Sequence, residues 1–120
     1  MKVLVVDDSL VIRSMLKKIL TRLGHEVVQA ENGAVGYDKL NADEEIKLAL
    51  IDWNMPVMNG IEMIGKVRSE SRFNELKIMM VTTETEPRQI VRALEAGSDE
   101  YVMKPFTADV IEEKIKVLGL

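Results

Sequence analysis

The sequence contains no cysteine. Disulfides, thiolate metal sites and cysteine nucleophiles are therefore excluded, and a reducing cytoplasmic home is the simplest expectation. Histidine occurs once, as His25, directly after Gly24. In a predicted helix-to-strand turn it reads as a solvated residue, not a phosphorylated one. An excess of basic charge is also missing: 16 Lys and Arg against 20 Asp and Glu give a net charge of −4. With an isoelectric point near 5.1, the chain lacks the clustered cations of a nucleic-acid surface. It has no long apolar run either. The segment after Met1-Lys2 is too short for a signal peptide or a membrane span, so no membrane insertion is expected. With only 3 proline and 7 glycine residues, 47% hydrophobic and 30% charged residues, the composition is that of an ordinary soluble globular protein. No linker, low-complexity tract or second domain is expected within residues 1–120, and a monomer is the simplest state.

A chain of 120 residues buries roughly two thirds of its unfolded surface, enough for one core without staples. Short apolar β-branched runs alternate with helical patterns. Strands are predicted at Lys2–Asp7, Glu26–Ala30, Lys47–Asp52, Leu76–Thr82 and Glu100–Met103. The first, third and fourth are near-continuous hydrophobic runs, as parallel strands covered on both faces should be. Ile12, Met15, Leu16, Ile19, Leu20 and Leu23 form a stripe of helical period, stopped by Gly24. Further helices are predicted at Gly33–Asn41, Gly60–Ser69, Pro87–Ala96 and Thr107–Leu118. Pro87 suits a first turn and Thr107 an N-cap. This alternation specifies an α/β fold: a flavodoxin-like (βα)5 doubly wound parallel sheet of order 2-1-3-4-5. In such a sheet the ligand site lies at the carboxyl ends of the strands, beside the switch point between strands one and three.

Those ends carry Asp7-Asp8, Asp52, Thr82-Thr83 and Lys104-Pro105. Each alone is an ordinary turn or cap residue. Together they deliver carboxylates, a hydroxyl and an ammonium to one rim. Two like charges ~4 Å apart repel by about 4 kcal/mol at an effective dielectric of 20, so a fold with no use for the cluster has little reason to keep it. Three carboxylates without histidine or cysteine point to a hard cation, Mg²⁺ first, with Mn²⁺ and Ca²⁺ sharing the preference for oxygen. Cation, ammonium and hydroxyl are the parts of a phosphoryl transfer to carboxylate. Asp52, the single acid on the central strand, is the nucleophile candidate.

These residues resemble the receiver domain of two-component response regulators, and within it the single-domain chemotaxis type. The resemblance runs through Val3–Ser9, Asp52-Trp-Asn-Met-Pro56 with Met58 and Gly60, Met80-Val-Thr82, and Tyr101–Thr107. It implies that Asp52 is the phosphoacceptor and that Mg²⁺ is bound by Asp8, Asp52 and the Asn54 carbonyl, with Asp7 reaching it through water. It implies that Thr82 and Lys104 contact the phosphoryl oxygens, that the Lys104–Pro105 peptide is cis, and that Tyr101 swings inward on activation. The partners implied are a sensor histidine kinase and a downstream protein, either a flagellar motor switch or a phosphotransfer protein. The partner face is expected on the fourth helix, fifth strand and fifth helix, at Ile90, Tyr101 and Lys114. Such a protein is no enzyme beyond its own phosphorylation and dephosphorylation. Two features depart from the family: Thr83 stands where a small residue is usual, and Glu84–Pro87 opens the fourth helix where motor-binding members carry lysines.

Within the same resemblance, a phosphorelay intermediate is the alternative output. A small aspartyl-phosphate phosphatase would want Asp-x-Asp after strand one, and Ser9 stands at its second acid. A flavin carrier would want a loop of Ser, Thr and Gly there, where Asp7-Asp8 would repel a phosphate. Met15, Met63, Met79, Met80 and Met103 fall within predicted helices and strands, and most of them read as core filler. Trp53 is expected at the rim, and Asp43-Glu44-Glu45 as a solvated acidic turn. Arg13, Lys17, Lys18 and Arg22 on the first helix make a patch too small for DNA and adequate for an acidic protein partner.

Overall fold

Alternate residues of one strand serve opposite faces of the sheet, and this sequence is apolar at both. In β1 (Lys2–Val6), Val3 and Val5 belong to one core cluster while Leu4 and Val6 belong to the other. β3 (Ile46–Ile51) and β4 (Lys77–Thr82) divide in the same way. The computed structural model, which describes residues 1–120, completes the sheet with β2 (Glu26–Ala30) and β5 (Glu100–Met103), all parallel, in the order β2-β1-β3-β4-β5. Helices α1 (Leu10–Arg22) and α5 (Ala108–Val117) cover one face through Leu16, Leu20, Ile111 and Ile115. The other face is covered by α2 (Gly33–Ala42), α3 (Gly60–Arg68) and α4 (Pro87–Ala96) through Leu40, Met63, Ile64, Val67 and Ala93. No helix is long and apolar enough to cross a membrane.

The capping chemistry read from the sequence is present. Thr107 accepts the Val110 N–H, Pro87 opens α4, and Gly24 and Gly97 follow their helices at positive φ. Boundaries move by one or two residues. The first and third strands stop short of Asp7 and Asp52, whose N–H groups make the last rungs, to the Ala30 and Val6 carbonyls. A short 3-10 turn at Ser71–Phe73 has no strong periodic signature and was not expected.

Two expectations about side chains hold in part. Met63, Met79 and Met80 are buried, but Met15 and Met103 are 45% and 47% exposed. Met15 lies at the edge of the α1 stripe, and Met103 is the last residue of β5, where the covering layer ends. The acidic turn is not simply solvated: Lys2 gathers Asp43 at 2.6 Å, Glu26 at 3.2 Å and Glu45 at 3.4 Å.

One glycine decides how closely α3 approaches the sheet. A Cβ on Gly60 would stand 2.1 Å from the Asp52 carbonyl oxygen and 3.1 Å from the Trp53 Cα, whereas one on Gly65 meets nothing within 4 Å. Gly60→Ala should therefore cost about 1–3 kcal/mol or more through forced backbone displacement. Gly65→Ala, on the exposed face of the same helix, should gain about 0.5–1 kcal/mol. Urea melts of the two variants check the pair.

Candidate functional site

The register of β1 and β3 brings the acids together. Val6 pairs with Ile51, so the next residues, Asp7 and Asp52, leave adjacent parallel strands side by side. The β1–α1 turn adds Asp8, and the carboxylate oxygens of Asp7, Asp8 and Asp52 lie within 4.8 Å of one another. Asp7 and Asp52 are buried; Asp8 is exposed. From the far side of the sheet, Lys104 at the end of β5 places its ammonium 2.7 Å from Asp7 Oδ2 and 3.4 Å from Asp52 Oδ2. The Lys104–Pro105 peptide is cis. Among the three clustered carboxylates and the one ammonium that pairs with them, the charges sum to minus two, the magnitude carried by one divalent cation. All the clustered donors are hard oxygens, so they fit Mg²⁺ in chemistry as well as in charge.

Asp52 is the strained member. Burial, and then the charge of Asp7, raise its carboxyl above the ordinary aspartate value; Lys104 and the Trp53 N–H, 2.8 Å from Oδ1, oppose the rise. Asp7 is held from three sides: Ser9 N–H at 2.9 Å on Oδ1, Lys104 on Oδ2, and Arg13 Nη1 at 2.6 Å on its main-chain carbonyl. Ser9 also caps α1 by accepting the Ile12 N–H.

Behind the acids lies a second set of contacts that converges on Glu84. Its N–H donates to the fully buried Thr82 hydroxyl at 3.3 Å, and its carbonyl accepts from Tyr101 OH at 2.7 Å. Its carboxylate accepts from Asn54 Nδ2 at 3.3 Å. Tyr101 stands inside, in the core cluster shared by α3 and α4. Burial, followed by the charges of Glu84 and Asp52, raises its phenol above the ordinary value. Thr83 beside this group is exposed.

Trp53 corrects an expectation. It is buried in the core cluster and not at the rim, with the Arg92 guanidinium 5.8 Å from its ring. Trp53 continues the alternation of β3, falling on the same face as Ile51 two residues before it, which sends it into the apolar layer. On the α4-β5-α5 side, Ile90 is half-buried against the core and Lys114 is tied to Glu100 at 2.9 Å. The exposed apolar groups on these elements are Val91 and Leu94 of α4, Met103 of β5, and Val110 and Val117 of α5. His25 sits in its turn with Nδ1 3.2 Å from the amino terminus; burial and that ammonium lower its pKa. Sequence reasoning missed Arg13 and Glu84 as members of the site. Arg13 sits on the polar flank of α1 that a helical projection assigns to solvent, and Glu84 acts mainly through its backbone.

A raised carboxyl has a signed consequence for stability. The folded chain holds the Asp52 proton more tightly than the unfolded chain. The stability this confers is fully present below the ordinary aspartate value of 3.8 and is lost as pH rises through the folded value. Asp52→Asn should therefore be more stable than the wild type at neutral pH without divalent cation. The gap should close on acidification towards pH ~4, where the wild-type acid is protonated. Urea melts in chelator across this range measure it.

The site and fold have relatives. The response regulator receiver domain family matches residues 3–116. Chemotaxis protein CheY1 of Helicobacter pylori is 48% identical over 119 residues, covering 98% of this chain and 96% of that protein. A chemotaxis protein CheY homolog of Campylobacter jejuni is 48% identical, covering 99% of this chain and 93% of its own. Among solved structures, the chemotaxis response regulator CheY4 of Vibrio cholerae superposes with a TM-score of 0.91 at 33% identity, over 98% of this chain and 97% of that one. The response regulator TrrA of Thermotoga maritima, in complex with Mg²⁺-BeF, gives 0.85 at 35%, with the same coverage. With the whole site inside the matched span, this chain belongs to the response regulator receiver domain family.

Proposed function

We propose that this chain takes a phosphoryl group onto Asp52 from a phosphohistidine of a sensor kinase, and thereby changes its affinity for a downstream protein in chemotaxis signalling. The observation that carries the reading is the array of three carboxylates within 4.8 Å, with Lys104 between Asp7 and Asp52. Asp7, Asp8 and Asp52, with the Asn54 carbonyl, would hold Mg²⁺. Bound there, the cation would neutralise the phosphoryl oxygens and the acids around them. The Mg²⁺-BeF complex of the Thermotoga relative supports this chemistry, and the names of the Helicobacter and Campylobacter relatives support the chemotaxis role.

The chain's own residues then have defined tasks. The Trp53 N–H fixes Oδ1 of Asp52 and so orients the carboxylate. An Asp52 oxygen attacks phosphorus, the phosphorus–nitrogen bond of the donor imidazole breaks, and that nitrogen keeps the electron pair. Lys104 turns from its two carboxylates to the incoming anion, for which a mobile ammonium is suited. The Thr82 hydroxyl accepts from Glu84 N–H and keeps its own hydrogen to donate to a phosphoryl oxygen. Drawing Thr82 forward acts on Glu84, and Glu84 holds Tyr101 through its carbonyl. A charge at Asp52 is thereby transmitted to β5 and α4 through one main-chain segment. The partner tightens by the same factor with which it stabilises the phosphorylated form.

Incubation with acetyl phosphate and Mg²⁺ should add one hydroxylamine-sensitive phosphoryl group, seen as a single mass shift. Asp52→Asn should abolish it, and chelation should suppress it. Equal labelling of the Asp52→Asn protein would assign the acceptor elsewhere.

A further inference from the structure

Arg13 is on the second turn of α1, and its half-buried guanidinium turns back towards the site. Nη1 donates to the Asp7 carbonyl at 2.6 Å and Nε to Gln29 Oε1 on β2 at 3.2 Å. The ion pairs of this rim are made by Lys104; Arg13 grips main chain. The carbonyl it holds belongs to the peptide that joins the two acids. Because that unit is planar, fixing its oxygen fixes the direction in which the next residue, Asp8, leaves the turn. Asp7 has its own anchors in Ser9 N–H and Lys104. The exposed Asp8 relies on the peptide plane for its aim.

We infer that Arg13 is a positioning residue of the divalent-cation site: braced by Gln29, it holds the Asp7 carbonyl so that the Asp8 carboxylate faces Asp52. This rests on the reading that Asp7, Asp8 and Asp52 hold Mg²⁺. The competing physical effect has the opposite sign. A guanidinium acting only through its charge would repel a dication, so its removal would tighten binding. A residue that aims a ligand behaves as an outer partner of the metal site, and its loss weakens binding, commonly by about tenfold or more.

The test is a Mg²⁺ titration followed by the fluorescence of Trp53, whose N–H is bonded to Asp52, with circular dichroism in chelator as the check on folding. Arg13→Met should weaken Mg²⁺ about tenfold. Arg13→Lys keeps the charge and can reach the carbonyl but cannot bond Gln29 at the same time; it should recover part of the affinity. Gln29→Ala leaves the charge untouched and should weaken Mg²⁺ in the same direction by a smaller factor. Unchanged or tighter binding in folded Arg13→Met overturns the inference while the cation site stands. If that variant does not fold, unchanged affinity in both Arg13→Lys and Gln29→Ala overturns it. A wild-type protein that gives no response to Mg²⁺, in fluorescence or in a parallel calorimetric titration, removes the cation site and the inference with it.

Discussion

Lys104 holds Asp7 at 2.7 Å and Asp52 at 3.4 Å, with all three side chains largely withdrawn from water. Removing the lysine would leave two buried carboxylates uncompensated, commonly a loss of about 3–5 kcal/mol. The arrangement is nevertheless short of positive charge by design of its count: one ammonium serves two buried carboxylates and a third at the surface. The raised carboxyl of Asp52 expresses that shortage. It makes Asp52 the group that would gain most from an arriving cation, and the group whose proposed conversion to an acyl phosphate would most change the demands on Lys104.

The fold supplies this array through register and close approach. Val6 pairs with Ile51, and Thr82 with Met103, so Asp7, Asp52, Thr82 and Lys104 each stand at a strand end or one residue beyond it. Gly60 allows the N-terminus of α3 to rest against the Asp52 carbonyl, and its own N–H donates to the Trp53 carbonyl at 2.9 Å. Val57 in the intervening loop sits at φ +69 and is 83% exposed. A β-branched residue there is strained, and the strain lies between Asp52 and α3. Glu84 is the junction on the other side, where Thr82, Tyr101 and Asn54 meet.

The strand order, the five helices and the residues at four strand ends were legible in the sequence, because apolar runs of strand length and a 3.6-residue stripe fix a parallel α/β sheet, and that sheet gathers strand ends. The family followed from the Asp7-Asp8, Asp52, Thr82 and Lys104 motifs taken together. What was not legible depends on main chain or on layer edges. Arg13 and Glu84 act on or through backbone groups, which no residue pattern reports. Met103 lies at a strand end that no helix covers, and Trp53 was misplaced because its neighbour's role outweighed the alternation that sends it inward.

The rim is an acid array two positive charges short, which one divalent cation would balance. Ligand binding to the folded chain alone stabilises it by linkage, by about 2.7 kcal/mol at a cation concentration one hundred times Kd. The direct measurement is thermal unfolding of the wild type and of Asp8→Asn, each with Mg²⁺ and with chelator. The expected result is a higher Tm for the wild type in Mg²⁺, a much smaller gain for Asp8→Asn, and in chelator a Tm for Asp8→Asn equal to or above that of the wild type. A wild type that melts identically with and without Mg²⁺, and above Asp8→Asn in chelator, would contradict it.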